Sequence, residues 1–247
     1  LEVHQQIESH KLFCSCPSLV NDEQSPDIIF ERKLRASAGE TGIIDKAAAY
    51  EMQKEKVYHY EACSSSSCLV EYDEEPPHLL NMHALKVALE VSLLVHAKVV
   101  DTIHFMRKTV VDGSNVSGFQ RTALIAVDGY VETSKGRVGI PTICLEEEAA
   151  KKREEKEHRV HYRLDRLGIA LVEIATDASI QDPEHAKETA SLLGMILRST
   201  GKVKRGIGSI RQDVNLSIAG HPRVELKGFQ DLRSIPKVIE QEVKRQI

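Results

Sequence analysis

The chain has 247 residues, with 33 Lys and Arg against 37 Asp and Glu for a formal net charge of −4. Hydrophobic residues at 41% and charged residues at 28% exclude intrinsic disorder, a collagen helix and a coiled-coil rod. Mild acidity and few aromatics (5 Phe, 6 Tyr, no Trp) argue against a whole-surface nucleic-acid binder or a base-stacking platform.

No apolar run approaches the roughly 20 residues that span a bilayer. The longest, Leu79 to Val100, is interrupted by His83, Lys86, Glu90, His96 and Lys98. No signal-peptide pattern opens the chain, so the expectation is a soluble, cytoplasmic protein that does not enter a membrane. Leu1 begins the chain and Val243–Ile247 stops inside a helical pattern, which reads as a piece of a longer polypeptide.

In chain order, residues 17–30 read as a polar loop. Asp45 to Lys56 reads as a short helix capped by Asp45. Ser64 to Ser67 is a low-complexity loop between two cysteines, and Pro76-Pro77 is a stiff break. From Asn81 to Val95, apolar residues at Met82, Leu85, Leu89 and Leu93 predict a long buried helix. Residues 122–147 hold two turn signals, Asp128-Gly129 and Ser134-Lys135-Gly136, and predict an antiparallel meander. Strands follow at 160–164 and 169–176. Asp182-Pro183 starts a helix that Gly201 stops. Residues 203–229 return to strand, and Ser234 opens a last helix with Pro236 in its first turn. Strands in runs with helices between them predict an α+β domain with a mostly antiparallel sheet and flanking helices.

The chemistry concentrates in a few segments. In Arg211 to Ile218 the odd positions are polar, so a strand shows Arg211, Asp213, Asn215 and Ser217 on one face. Arg223 to Lys227 alternates in the same way. A three-residue Gly220–Pro222 loop sets Asn215 against Lys227 and Ser217 against Glu225; a two-residue loop would oppose apolar to polar residues. A solvated outer face remains the plain alternative. Glu173 lies in an otherwise apolar run, Ile169 to Ala175, where a carboxylate either points to water or binds a hard cation. Glu2 and His4 share one strand face and form a workable divalent-metal pair.

Glu146-Glu147-Glu148 ends an apolar strand. The next residues carry Glu147/Lys151 and Glu148/Lys152 at helical spacing, which suits a solvated helix, while carboxylates at a strand end also suit Mg²⁺. Cys14, Cys16, Cys63 and Cys68 suit either a four-thiolate zinc site or free thiols, and Cys144 reads as core. Lys202, Lys204 and Arg205, just after Arg198, form a local basic patch. Gly206-Ile207-Gly208 is a lone G-x-G, so neither a P-loop nor a Rossmann turn holds a nucleotide here.

Several motifs in order resemble the GatB/GatE family of tRNA-dependent amidotransferases. They are Leu1 to Gln6, Lys11 to Pro17, Asp112 to Thr122, Leu145-Glu146-Glu147, Leu171 to Ile174, Arg211 to Asn215 and Val224 to Lys227. Asp112 to Thr122 and Leu34 to Glu40 are similar to the archaeal branch. The resemblance runs over essentially the whole chain and implies a glutamine synthetase-like cradle spanning residues 1–247. The family's tRNA-binding insert, helical domain and tail domain would lie outside the chain.

The implied activity is ATP-dependent: the γ-carboxylate of glutamate on mischarged tRNA(Gln) is phosphorylated and then amidated, giving Gln-tRNA(Gln). The implied cofactors are ATP and Mg²⁺, with Zn²⁺ on the cysteines. The implied partners are Glu-tRNA(Gln) and an asparaginase-like, ammonia-producing protein of the D type in a hetero-oligomer. Carried over by residue, Glu2, His4, Glu146, Glu147 and Glu173 hold the metal. Arg211, Lys227, Glu147 and Glu173 act on the reacting groups, and Ser209, Asp213, Asn215 and Glu225 bind the nucleotide. A non-catalytic scaffold for the ammonia-producing partner and tRNA is the alternative, although a scaffold has no need of Glu173 in an apolar strand.

Overall fold

A computed structural model describes residues 1–20, 23–36 and 41–247. The strands are β1 (Glu2–Gln6), β2 (Ile28–Lys33), β3 (Val57–Ala62), β4 (Lys98–Val99), β5 (Phe105–Thr109) and β6 (Phe119–Thr133). They continue with β7 (Gly136–Glu147), β8 (Lys151–Lys156), β9 (Arg159–Arg163), β10 (Ala170–Ala175), β11 (Ile210–Leu216) and β12 (Val224–Phe229). The helices are α1 (Lys46–Gln53), α2 (Met82–Leu94), α3 (Pro183–Ser199) and α4 (Ile235–Gln246).

The larger sheet runs β12-β11-β1-β10-β7-β6-β4, with β5 also on β6, and every pairing in it is antiparallel. A smaller sheet runs β2-β3-β9-β8, where β3 and β9 are parallel. The architecture is α+β with mostly antiparallel strands, as the grouping of strands predicts.

One face of the larger sheet carries the main core. Val3, Ile143, Leu145, Val172 and Ile174 pack there with Ala84, Ala88 and Val91 of α2 and Ala186, Leu193 and Leu197 of α3. Because side chains alternate along a strand, Glu2, His4, Cys144, Glu146, Glu173, Arg211 and Asp213 stand on the opposite face. Tyr58, Tyr60 and Tyr162 form a second core under the smaller sheet.

The caps behave as their residue types require. Asp182 accepts from the His185 amide at 3.0 Å, Pro183 fills the first turn, and Gly201 exits at φ +67°. Asn81 accepts from the Ala84 amide at 3.1 Å while its own amide donates to the His10 carbonyl at 2.9 Å, tying α2 to the loop after β1. Asp45 caps α1 as its sequence indicates.

Five local expectations are corrected. The segment 17–30 is not all loop, because β2 begins at Ile28; Asn21 and Asp22 lie outside the described residues, as do residues 37–40 of the Leu34–Glu40 stretch. Met82 and Leu93 of α2 are exposed (57% and 67%), and the buried face holds Ala84, Leu85, Val87, Ala88 and Val91. His83, Lys86 and Glu90 line the opposite face at helical spacing and turn it to solvent, carrying Met82 and Leu93 with them, so the small residues at Ala84, Ala88 and Val91 face the sheet. Asp128-Gly129 does not reverse the chain but lies within β6, where Asp128 takes φ +56° and Gly129 still pairs with Ile140. Residues 151–156 form β8, not a helix: a tight turn at Glu157-His158 folds them onto β9 as a charged edge strand. Finally, β11 and β12 pair Asn215 with Glu225 and leave Ser217 in the connecting loop. That is a slip of two residues, which preserves the faces because side-chain period is two.

Candidate active site

β1 lies between β10 and β11, and this position assembles the site. In register, His4 stands opposite Glu173 on one side and Arg211 on the other, while Glu2 stands opposite Asp213. His4 Nε2 lies 3.5 Å from Glu173 and 4.0 Å from Glu146. Lys108 on β5 reaches across with Nζ 3.8 Å from Glu146 and 3.9 Å from Glu173, and the Thr122 hydroxyl donates to Glu146 at 3.2 Å.

Donor atoms of Glu2, His4 and Glu173 lie within 4.8 Å of one another, as do those of Glu2, Asp213 and Glu225. Glu2 is common to both groups. The Asn215 amide holds Glu2 at 3.0 Å, the Gly228 amide holds Asp213 at 2.7 Å, and Lys227 Nζ lies 3.0 Å from Glu225. Burial pushes the Glu146 carboxyl up to about 7, and the Glu173 charge beside it adds to the rise. Burial is the strongest single influence on Glu173 and acts in the same sense, but the His4 ring, the Lys108 charge and the bond with Glu146 together outweigh it and hold Glu173 at about 2. Burial would lower His4, yet Glu173 raises it. Two adjacent carboxyls therefore compete for one proton, the arrangement that like charges impose at short range.

Some residues of the sequence reading stand elsewhere. Glu147 cannot join Glu146, because neighbours on a strand point to opposite faces. Its carboxylate is buried on the other side, 3.1 Å from Arg121, and burial raises it despite that partner. Arg211 gives two bonds to Glu148, at 2.9 and 2.7 Å. Ser209 is buried, and its hydroxyl donates to the Gly206 carbonyl at 2.7 Å. Cys144, read as core, stands on the site face opposite Glu173, and burial pushes its thiol up to about 12. The basic patch is partly consumed: Lys202 pairs with Glu90 at 2.5 Å, and Lys204 turns inward to the Ser18 carbonyl.

Lys108, Thr122 and Glu148 touch the candidate site, and sequence reasoning assigned them no role there. Lys108 sits on a strand with no distinguishing pattern, and Thr122 closes the Asp112 to Thr122 motif without a chemical signal of its own. Glu148 carried a signal, a third consecutive acid after an apolar strand, but its partner Arg211 is distant in sequence.

The cysteines divide three to one. Cys14, Cys16 and Cys68 bring donor atoms within 4.8 Å of one another together with Glu71, not Cys63. Glu71 accepts from the Cys14 thiol at 3.1 Å and from the Cys68 amide at 2.8 Å, and fully buried Lys11 lies 3.7 Å away. Burial and Glu71 raise the Cys14 thiol, and burial pushes Cys68 up to about 11. Cys63 instead accepts from the Arg163 guanidinium at 2.9 Å. It directly follows β3, and the serines after it turn the chain away before Cys68.

Among the described residues, no helix is long and apolar enough to cross a membrane. The chain is 56% identical over 248 residues to the E-type subunit of glutamyl-tRNA(Gln) amidotransferase from Methanosarcina acetivorans, covering 100% of this chain and 39% of that relative. It is 54% identical to the corresponding subunit of Methanocaldococcus jannaschii and 55% identical to that of Thermococcus gammatolerans, with the same coverage. The chain thus spans 39% of the length of these curated relatives. The family described as the GatB/GatE catalytic domain matches residues 1–247, and the chain belongs to that family.

Proposed function

We propose that the protein is the amidating unit of a glutamyl-tRNA(Gln) amidotransferase. In this reading it activates the γ-carboxylate of glutamate on tRNA(Gln) with ATP and transfers ammonia to it. Its partners are Glu-tRNA(Gln) and an asparaginase-like, ammonia-producing protein of the D type within a hetero-oligomer, working in the cytoplasm. The names of the relatives, as glutamyl-tRNA(Gln) amidotransferase components, support the reaction class. The observation that carries it is the pair of donor groups meeting at Glu2 on one sheet face, with lysines beside them.

Those donors fit hard cations. Glu2, Asp213 and Glu225 offer carboxylate oxygens alone, and Glu2, His4 and Glu173 add one imidazole. They would hold Mg²⁺, which when bound neutralises phosphate charge and orients the nucleotide. The protein's own part is positional. Asn215 and the Gly228 amide fix the carboxylates, while exposed Lys227 and Lys108 can offset charge that develops on a transferring phosphoryl group. Arg211 and Glu148 brace β11 against the end of β7.

The test uses the full-length protein supplied with ammonium, so that no partner is needed. Conversion of Glu-tRNA to Gln-tRNA with Mg²⁺-ATP is expected for wild type, with Glu173→Gln reduced at least about 100-fold. No conversion by well-folded wild type would overturn the reading in favour of a scaffold.

We further propose that Zn²⁺ binds Cys14, Cys16, Cys68 and Glu71. Three thiols and a carboxylate around one point match its preferred ligands and coordination number.

A further inference from the structure

The smaller sheet turns a second set of ligand-bearing side chains outward. β3 and β9 are parallel and in register at His59 and His161, so the two imidazoles stand side by side with centroids 4.6 Å apart. Glu61 is the next outward residue on β3. One donor atom from each of His59, Glu61 and His161 lies within 4.8 Å of the others, and all three residues are half-buried.

The row continues across the sheet, with Glu31 opposite His59 on β2 and Glu154 opposite His161 on β8. Glu31 lies 3.3 Å from His59 Nδ1, which fixes that ring and leaves its other nitrogen for a ligand. A carboxylate behind an imidazole is the usual support of a metal-binding histidine. Among the described residues, the Glu61 carboxylate has no ion pair of its own. Beneath the row, Tyr58, Tyr60 and Tyr162 pack on the inner side of the same strands and hold their spacing.

We propose that His59, Glu61 and His161 bind a divalent first-row transition-metal ion, with water completing its coordination. Two imidazoles and one carboxylate suit Zn²⁺, Ni²⁺ or Co²⁺ rather than Mg²⁺. The site belongs to a different sheet from the Glu2 carboxylates. A bound ion would clip together two strands that lie far apart in the sequence.

Ni²⁺ is the probe, added to the metal-free full-length protein and followed by titration calorimetry. Wild type is expected to bind one equivalent more than the His59→Gln/His161→Gln double variant. Glu31→Gln is expected to keep that equivalent with affinity about tenfold weaker. His161→Gln alone, which leaves Tyr162 and the strand pairing in place, is expected to weaken the same equivalent at least about tenfold and serves if the double variant does not fold. Equal stoichiometry and affinity in wild type and a folded histidine variant would overturn the proposal.

Discussion

The most unusual side chains of the candidate site are carboxylates largely held out of water, each with a different partner. Glu146 has the weakest support, and its folded pKa of about 7 lies above the roughly 4.3 of a free glutamate. A raised carboxyl binds its proton more tightly in the folded state. Its contribution to stability is therefore complete below the unfolded value and is lost as pH rises through about 7. A cation bound beside it must displace that proton. Mg²⁺ is thus expected to raise the thermal midpoint more at about pH 8 than at about pH 6, with the difference abolished in Glu146→Gln. An equal rise at both pH values in wild type would contradict this. Glu148 behaves in the opposite way. Burial alone would raise it, but the Arg211 guanidinium holds it below the usual range, so its contribution is present above the unfolded value and lost as pH falls through the depressed one. Removing Arg211 leaves buried Glu148 only the Gln6 amide at 3.2 Å and Arg166 at 3.8 Å, so Arg211→Ala is expected to cost about 1–3 kcal/mol in urea unfolding.

Elements here are shaped by close approach as much as by propensity. Gly129 sits in β6 where the chain crosses the end of α2: a methyl group at this position would meet the Val95 carbonyl and the Ala97 side chain, each at 2.9 Å. Gly129→Ala is therefore expected to destabilise by about 1–3 kcal/mol, since backbone on one side cannot yield. A melting curve unchanged from wild type would show that the strand can shift. The Asp182 cap on α3 is a simpler case, and Asp182→Ala is expected to cost about 1 kcal/mol. β8 shows context overriding propensity: a Lys- and Glu-rich segment with good helix formers becomes a strand because Tyr162 and Val160 on β9 are buried and the turn at Glu157-His158 returns the chain beside them. As an edge strand its charges also discourage further strand addition.

At the scale of the whole molecule, two cores must be joined, and the thiol group lies where they meet. Cys14 and Val70 belong to the main core, while Tyr72 belongs to the tyrosine core of the smaller sheet. A metal at Cys14, Cys16, Cys68 and Glu71 would tie the loop after β1 to the segment after β3. Chelation is expected to lower the thermal midpoint and to release zinc measurable by atomic absorption. Cys68→Ser is expected to lose the metal while Cys63→Ser keeps it; zinc lost equally in both would restore Cys63 as a ligand.

The sequence by itself determined the fold class, the capped helices α1 and α3, the Ser134-Lys135 hairpin and the polar face of β11 and β12. It also exposed Glu2, His4 and Glu173 as unusual side chains. Each of these follows from a local pattern: cap chemistry, turn residues, or a side-chain alternation that survives a slip of two in register. Only the tertiary structure decided which residues meet. It set β1 between β10 and β11, turned Glu147 to the face opposite the Glu2 carboxylates, exchanged Cys63 for Glu71 and brought Lys108 over the carboxylates. Those choices depend on contacts between residues far apart in the chain, and no local periodicity encodes them.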